Sequence, residues 1–309
     1  MTERLRVNCR TATPADTAPA LAFDQGIWEG QDYIPYVWED WLADRRGRLL
    51  VAELAEPAEA GERRFPAGQV VGFGKLSLLE QGDWWLEGLR IDPALQGRGI
   101  ATQLTEALHA AWLALDPGSS LRLLTMANRY PVHHISTQMG MRRLGVYVFY
   151  RAQTHPPAES GAQPDTLPFD RVPPAELAAA AALAQHNPAA AWVGELMDMG
   201  WQWAPARLFY LERAMQRGEL WWWGEQQGLL AYHLDNDEGE APHPYLELVA
   251  CPPQEMAALL LGVRRLMGQL GYTRVDWTVM DTPELRAALE QAGYTCVSEQ
   301  AAWAFGKDG

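Results

Sequence analysis

Leu89-Arg90-Ile91-Asp92-Pro93-Ala94-Leu95-Gln96-Gly97-Arg98-Gly99-Ile100-Ala101-Thr102-Gln103-Leu104 passes from an apolar, strand-like stretch through a glycine-bearing loop directly into a helix. That order of elements makes an anion site. The first turn of a helix leaves backbone N–H groups without intrahelical acceptors, and the macrodipole adds partial positive charge there. Gly97 and Gly99 carry no Cβ, so backbone can approach a diphosphate closely, and Arg98 adds a cation. An ordinary strand-to-helix turn is the plainer reading of a lone Gly-x-Gly, so the surrounding chain has to decide.

Outward from this loop, the first half reads as mixed α/β. Strands are expected at residues 5–10, 49–54, 70–78, 84–91, 121–126 and 146–151. Helices are expected near Thr13-Pro14, where a cap residue precedes Pro, and at residues 37–43, 100–115 and 132–139, with a loop over 56–68. Residues 153–168 are rich in Pro, Gly and small polar types without periodicity and read as a linker. The second half then repeats a similar order, with helices at 175–184, 207–216, 254–270 and 283–292. Its strands fall at 219–224, 229–234, 245–249, 274–279 and 296–305. Thr125, Asn128 and Gly140 match Thr278, Asp281 and Gly293 at one constant offset, and Leu86-Glu87 matches Leu246-Glu247 at an offset longer by seven. The second half therefore lacks about as many residues as the glycine loop occupies. With 309 residues, more than one core usually supports, the expected organisation is a domain over 1–152, a linker over 153–168 and a second domain over 169–309.

Composition sets limits on partners. The net charge is −14; residues 1–152 carry 16 basic and 18 acidic side chains, and residues 153–309 carry 9 and 21. No basic patch suggests nucleic acid. No apolar run approaches the length of a membrane span, and the first residues lack the apolar core of a signal peptide, so the expected location is the cytoplasm. Cys9, Cys251 and Cys296 have no CxxC spacing, which points to structural thiols rather than a disulfide framework or a metal site.

Gln96-Gly97-Arg98-Gly99-Ile100-Ala101 resembles the acyl-CoA pyrophosphate loop of the GNAT N-acetyltransferase superfamily, and the preceding Leu-Arg-Ile-Asp-Pro resembles that family's fourth strand. A further marker follows in order: strand 121–126, Asn128, a short helix, then Gly140-Met141. The resemblance covers most of residues 1–152; the second half shares only element order and the Asp281-to-Gly293 segment. It implies two tandem GNAT-like domains of α/β (α+β) class, each a mixed, mostly antiparallel sheet flanked by helices. It also implies acetyl-CoA as cosubstrate. The backbone of Gln96, Gly97, Arg98, Gly99, Ile100 and Ala101 would hold the diphosphate. Leu89, Ile91 and Asn128 would meet the pantetheine arm.

Acetyl transfer to an amine needs a base for the ammonium proton and a donor for the thioester oxygen. Glu87 is the candidate base. Two residues before Leu89, it is expected to share a face with Leu89 and Ile91; a strand carboxylate paired with an arginine or exposed to water is the other reading, and Glu80 and Asp83 are alternatives. The resemblance puts a backbone N–H near Leu89 against the thioester oxygen. Where the family often has a helix tyrosine, this chain has Ser136, with His133, His134, Tyr147 and Tyr150 as other proton sources. Trp28, Tyr33, Tyr36, Trp38 and Trp41 would wall an acceptor cleft or fill the core. In the second half, Val249-Ala250-Cys251-Pro252-Pro253-Gln254-Glu255 offers no glycine and no Arg to a phosphate, so a degenerate domain is expected there. The function so implied is acetyl-CoA-dependent N-acetylation of a small-molecule or peptide amine, by a monomer or homodimer. The alternative is a non-catalytic acyl-CoA sensor.

Overall fold

The computed structural model describes residues 3–24, 32–80, 82–155, 167–236 and 241–309. Trp28 and residues 156–166 of the expected linker lie outside these. The chain forms two compact units. The first comprises residues 1–123, 129–143 and 305–309, and the second 124–128 and 144–304.

The first unit contains β1 (Val7–Thr11), α1 (Thr17–Asp24), α2 (Ile34–Ala43), β2 (Arg48–Leu54), β3 (Ala58–Ala60), β4 (Arg63–Phe65), β5 (Val70–Glu80), β6 (Asp83–Ile91), α3 (Ile100–Leu115), the start of β7 (Ser120–Met126) and α4 (Tyr130–Gln138). β1, β2, β5 and β6 pair antiparallel in that order, and β6 pairs β7 in parallel. The expected loop over 56–68 holds a short hairpin, β3 against β4. The start of α1 follows its local chemistry. Thr13 N–H and Oγ1 donate to Asp16, and Arg10 clamps the same carboxylate from both nitrogens. The Arg10 hydrogen bonds hold the Asp16 carboxyl down at about 2.

Two layers cover this sheet. On one face, Phe73 meets Phe23 and Trp38 in a core with Ile34, Trp41, Leu49 and Val51. Trp38 also donates its indole N–H to Thr17 Oγ1 at 2.9 Å, so a fully buried ring leaves no orphan donor. On the other face α3 packs close to β5, and a Cβ added at Gly74 would come within 2.9 Å of Leu108.

The first unit is closed by the end of the chain. Gly309 N–H donates to the Ser119 carbonyl, and Lys307 Nζ donates to the Met139 carbonyl at the end of α4, where the helix dipole favours a cation. The units are thus not consecutive halves: residues 144–153 group with the second unit, and 305–309 with the first. Strand propensity along the chain says only that a segment is extended. Which sheet it joins depends on the edge its hydrogen bonds meet.

The second unit contains β8 (Arg142–Gln153, from Leu144 onward), β9 (Phe169–Arg171), α5 (Leu177–Gln185), α6 (Ala190–Val193), β10 (Leu196–Asp198), β11 (Trp203–Pro205), α7 (Leu208–Arg217), β12 (Leu220–Trp223), β13 (Gly228–Asp235), β14 (His243–Ala250), α8 (Met256–Gln269), β15 (Arg274–Met280), α9 (Pro283–Gln291) and β16 (Thr295–Cys296). β14 and β15 are parallel; β8 with β15, β13 with β14, β12 with β13 and β9 with β12 are antiparallel. Trp221, Trp222 and Trp223 are all buried, which fits an interior strand. The matched elements behave alike: parallel strands with one helix between them occur in both units, and Gly140 and Gly293 both have φ of +77°. β17 (Ala302–Asp308) starts in the second unit and ends in the first. Cys251 is buried, but Cys296 is exposed, so only one of the later thiols fits the structural expectation.

Candidate functional site

The glycine loop sits where the expectation placed it. Gly97 and Gly99 have φ of +75° and +78°, and Gly99 is the N-cap of α3 with no side chain to cap its N–H groups. A Cβ at Gly97 would meet nothing within 4 Å, so the backbone is open to a ligand. The loop is held from outside. Leu5 N–H donates to the Arg98 carbonyl at 3.0 Å. The Gln103 amide donates to the carbonyls of Leu5 and Gly99, and its oxygen accepts from Val7 N–H. Gln103 is therefore the residue that fixes the loop to β1, a role that the sequence pattern did not signal. Arg98 donates to the Glu3 and Glu59 carbonyls, bonds that keep its charge beside the loop. The Arg4 side chain lies against Gly99, its Nε 3.0 Å from where a Cβ would be, which adds a second cation. Asp92 is 2% exposed, accepts from Ala94 N–H and pairs with Arg63, so its charge is already answered.

β6 parts from β7 early. The pairs run Asp83–Ser120, Trp84–Leu121 and Trp85–Arg122 and stop there, while β6 continues to Ile91. From Leu86 on, β6 has a strand partner on its β5 side only among the described residues. Within that stretch the register with β5 slips between Phe73 and Lys75, where Gly88 and Leu89 oppose Gly74 alone. This is a β-bulge, with Gly88 at φ +63°.

The bulge corrects the expected facing of Glu87. Lys75 lies opposite Glu87, and residues opposite one another share a face. Lys75 reaches Asp44, just beyond α2, at 2.5 Å. Burial pushes the Asp44 carboxyl up, but the Lys75 ammonium outweighs it and holds it below its ordinary value. A Cβ at Gly88 would strike Trp41 of α2. Leu89 and Ile91, by contrast, meet the positions of Gly74 and Gly72 on the α3 side. The extra residue breaks the two-residue alternation, so Glu87 faces α2 and Leu89 does not.

Glu87 is half-buried and accepts from Ser77 Oγ at 2.5 Å. Arg90, on the same side, clamps Asp32 at 2.6 and 2.9 Å, lies over Tyr33 and donates to the Leu89 carbonyl. Trp38 and Trp41 are buried, whereas Tyr33 is 45% and Tyr36 69% exposed. The aromatic set thus divides into core indoles and surface phenols. The alternatives Asp83 and Glu80 differ in setting: Asp83 is fully buried and pairs with Arg122 at 3.0 Å.

Ser136 is buried, and its hydroxyl donates to the Val132 carbonyl one turn back. Its proton is spent inside α4, so the geometry corrects the expectation of a proton donor there. His133 is buried against Tyr130 and Phe305, and His134 is exposed. Tyr147 and Tyr150 belong to the second unit, as does exposed Asn128. The first unit thus carries the loop, with Leu89 and Ile91 on the α3 side of β6 and Glu87 on the α2 side.

Among the described residues, no cluster of three or more His, Cys, Asp or Glu is placed to hold a metal. No described helix is long and apolar enough to cross a membrane.

Residues 16–139 match the acetyltransferase (GNAT) family. Histidine N-acetyltransferase of Oreochromis niloticus is 29% identical over 91 residues, covering 29% of this chain; the chain spans 23% of that protein. A GCN5-related N-acetyltransferase from Sphaerobacter thermophilus superposes with a TM-score of 0.60 at 14% identity over 99% of this chain and 97% of its own. A tandem GNAT protein from the clavulanic acid biosynthesis pathway does so with 0.54 at 13% identity, covering 98% of each chain. At these identities the two structures bear on the fold, which is that of two tandem GNAT-like units.

Proposed function

From the GNAT-family domain carried by residues 16–139, we propose that this protein transfers an acetyl group directly from acetyl-CoA to a small-molecule or peptide amine. The observation that carries the proposal is the loop: two glycines in left-handed backbone, at the uncapped start of α3, with Arg4 and Arg98 beside it. Gln96 to Ala101 hold the diphosphate by backbone N–H groups and the dipole of α3. Beyond Trp85, β6 has no strand partner on its β7 side among the described residues, and there Leu89 and Ile91 are proposed to meet the pantetheine arm. Bound acetyl-CoA supplies the activated acetyl thioester.

Glu87 takes the proton from the incoming ammonium. Ser77, donating to it, fixes its rotamer. In this proposal a strand N–H at the Gly88–Leu89 bulge would donate to the thioester oxygen, where negative charge develops. Tyr33, Tyr36 and Arg90 line the acceptor side. An α-amino acid is the first acceptor to try, given the similarity to a histidine N-acetyltransferase. The proposal places the enzyme in the cytoplasm, as a monomer or homodimer. The second unit has no glycine in its Cys251-Pro252-Pro253 turn and is taken not to bind CoA.

Calorimetric titration with acetyl-CoA, followed by an amine panel read by CoA thiol release, tests the proposal. One site per chain with turnover supports it, and no binding refutes it. The second reading, an acyl-CoA sensor, is favoured by one observation, the spent proton of Ser136. It requires binding with no release of CoA for any amine.

A further inference from the structure

The second unit also opens its central strands. β14 and β15 pair only at Tyr245–Asp276 and Leu246–Trp277, and the gap beyond them is filled by the chain itself. The Asn187 amide donates to the Val249 carbonyl at 3.0 Å and its oxygen accepts from Ala189 N–H. Gly194 packs so close that a Cβ there would lie 3.1 Å from the Tyr147 hydroxyl. The Val249 carbonyl of β14 is therefore already bonded within the chain.

What stays open is a small acidic cleft, lined among others by Tyr147, Asp198, Glu247 and Thr278. It holds about 10 Å³ of free space, room for roughly one water-sized group. Glu247 is 5% exposed. Its Oε1 accepts from Arg217 at 2.9 Å and lies 3.3 Å from His233 Nδ1, but its Oε2 has no hydrogen-bond partner among the described residues. Arg217 is shared with Glu219. Asp198 is also 5% exposed; one of its oxygens accepts from Gly200 and Trp201 N–H. Three buried carboxylates (Asp198, Glu219 and Glu247) thus face one guanidinium and one imidazole.

A buried carboxylate oxygen left without a donor costs on the order of 1–3 kcal/mol, and two carboxylates on one cleft repel each other. That charge disfavours an anion, and among the described residues no group of three or more His, Cys, Asp or Glu is placed to hold a metal. The complementary ligand is positive, water-sized and rich in N–H donors. We propose that this cleft binds a small ammonium group, the ammonium ion itself or the head of a short primary alkylamine, against the Glu247 and Asp198 carboxylates, with the Tyr147 and Thr278 hydroxyls as further acceptors. The site is separate from the proposed acetyl-transfer centre and does not depend on it.

The test is titration of the full chain with ammonium chloride and with methylammonium chloride at constant ionic strength and pH near 8, followed by calorimetry. Tetramethylammonium, with the same charge but no N–H, is the control. Saturable binding of either N–H cation, absent for tetramethylammonium and weakened at least about tenfold in Glu247→Gln, is the expected result. Binding by ammonium but not methylammonium would define an ion site, and binding of both an amine-head site. No saturable binding, equal binding of tetramethylammonium, or an unchanged Glu247→Gln would overturn the proposal. If Glu247→Gln does not fold by circular dichroism, Thr278→Val and Asp198→Asn provide the same comparison.

Discussion

Gly88→Ala is the substitution most informative about the first unit. Gly88 sits at φ +63°, where a side chain costs about 1–2 kcal/mol. An added Cβ would lie 2.3 and 2.5 Å from two ring carbons of Trp41. That ring is 8% exposed and stands edge-on to Tyr33 at 6.1 Å, so it has little room to swing away. Overpacking of this kind adds about 1–3 kcal/mol, for a total destabilisation of about 2–5 kcal/mol. Urea unfolding measures it, and a double-mutant cycle with Trp41→Leu separates the two causes. The smaller side chain removes the clash and leaves the backbone cost, so the cycle should show a favourable coupling of about 1–3 kcal/mol. Turnover should fall along with stability, because the Leu89 N–H beside this bulge is the donor proposed for the thioester oxygen. A Gly88→Ala protein within about 0.5 kcal/mol of the parent, or strictly additive effects of the two changes, would refute the bulge as a fixed device.

Three further outcomes are expected. Gly99→Glu should abolish acetyl-CoA binding in a calorimeter while circular dichroism stays native, since it puts a negative side chain beside the diphosphate; retained affinity would remove the loop from the site. Glu87→Gln should lower turnover about 10²- to 10⁴-fold with acetyl-CoA affinity unchanged, and wild-type turnover would return Glu87 to a purely structural role. The third concerns pH. Burial raises the Asp198 carboxyl to about 7, so between about pH 4 and 7 the folded chain holds a proton that the unfolded chain has lost. Stability from this group is fully present below pH 4 and falls as pH rises through that window, by up to about 1.4 kcal/mol per pH unit. Unfolding measured across the window should show this slope in the parent and not in Asp198→Asn.

The sequence by itself determined the longer elements of each half and the glycine loop, but not the short strands β3, β4, β9, β10 and β11. Residues 100–115 read as a helix because their apolar spacing, and the glycine before them, are local facts; α3 has those bounds. Gly97 and Gly99 were legible for the same reason, since left-handed backbone at a helix start depends on the residues there. The internal match of Gly140 with Gly293 also survives as one shared backbone angle. Tertiary structure decided the rest. Glu87 and Leu89 lie on opposite faces because Gly88 and Leu89 oppose a single residue of β5, and a register slip exists only between two strands. Gln103 fixes the loop through residues nearly a hundred positions away. Ser136 loses its proton donor role to a carbonyl one turn back. Residues 305–309 complete the first unit, while 144–153 join the second. In each case the deciding partner is distant in sequence or a matter of side-chain rotamer, and hydrophobic pattern along the chain carries neither.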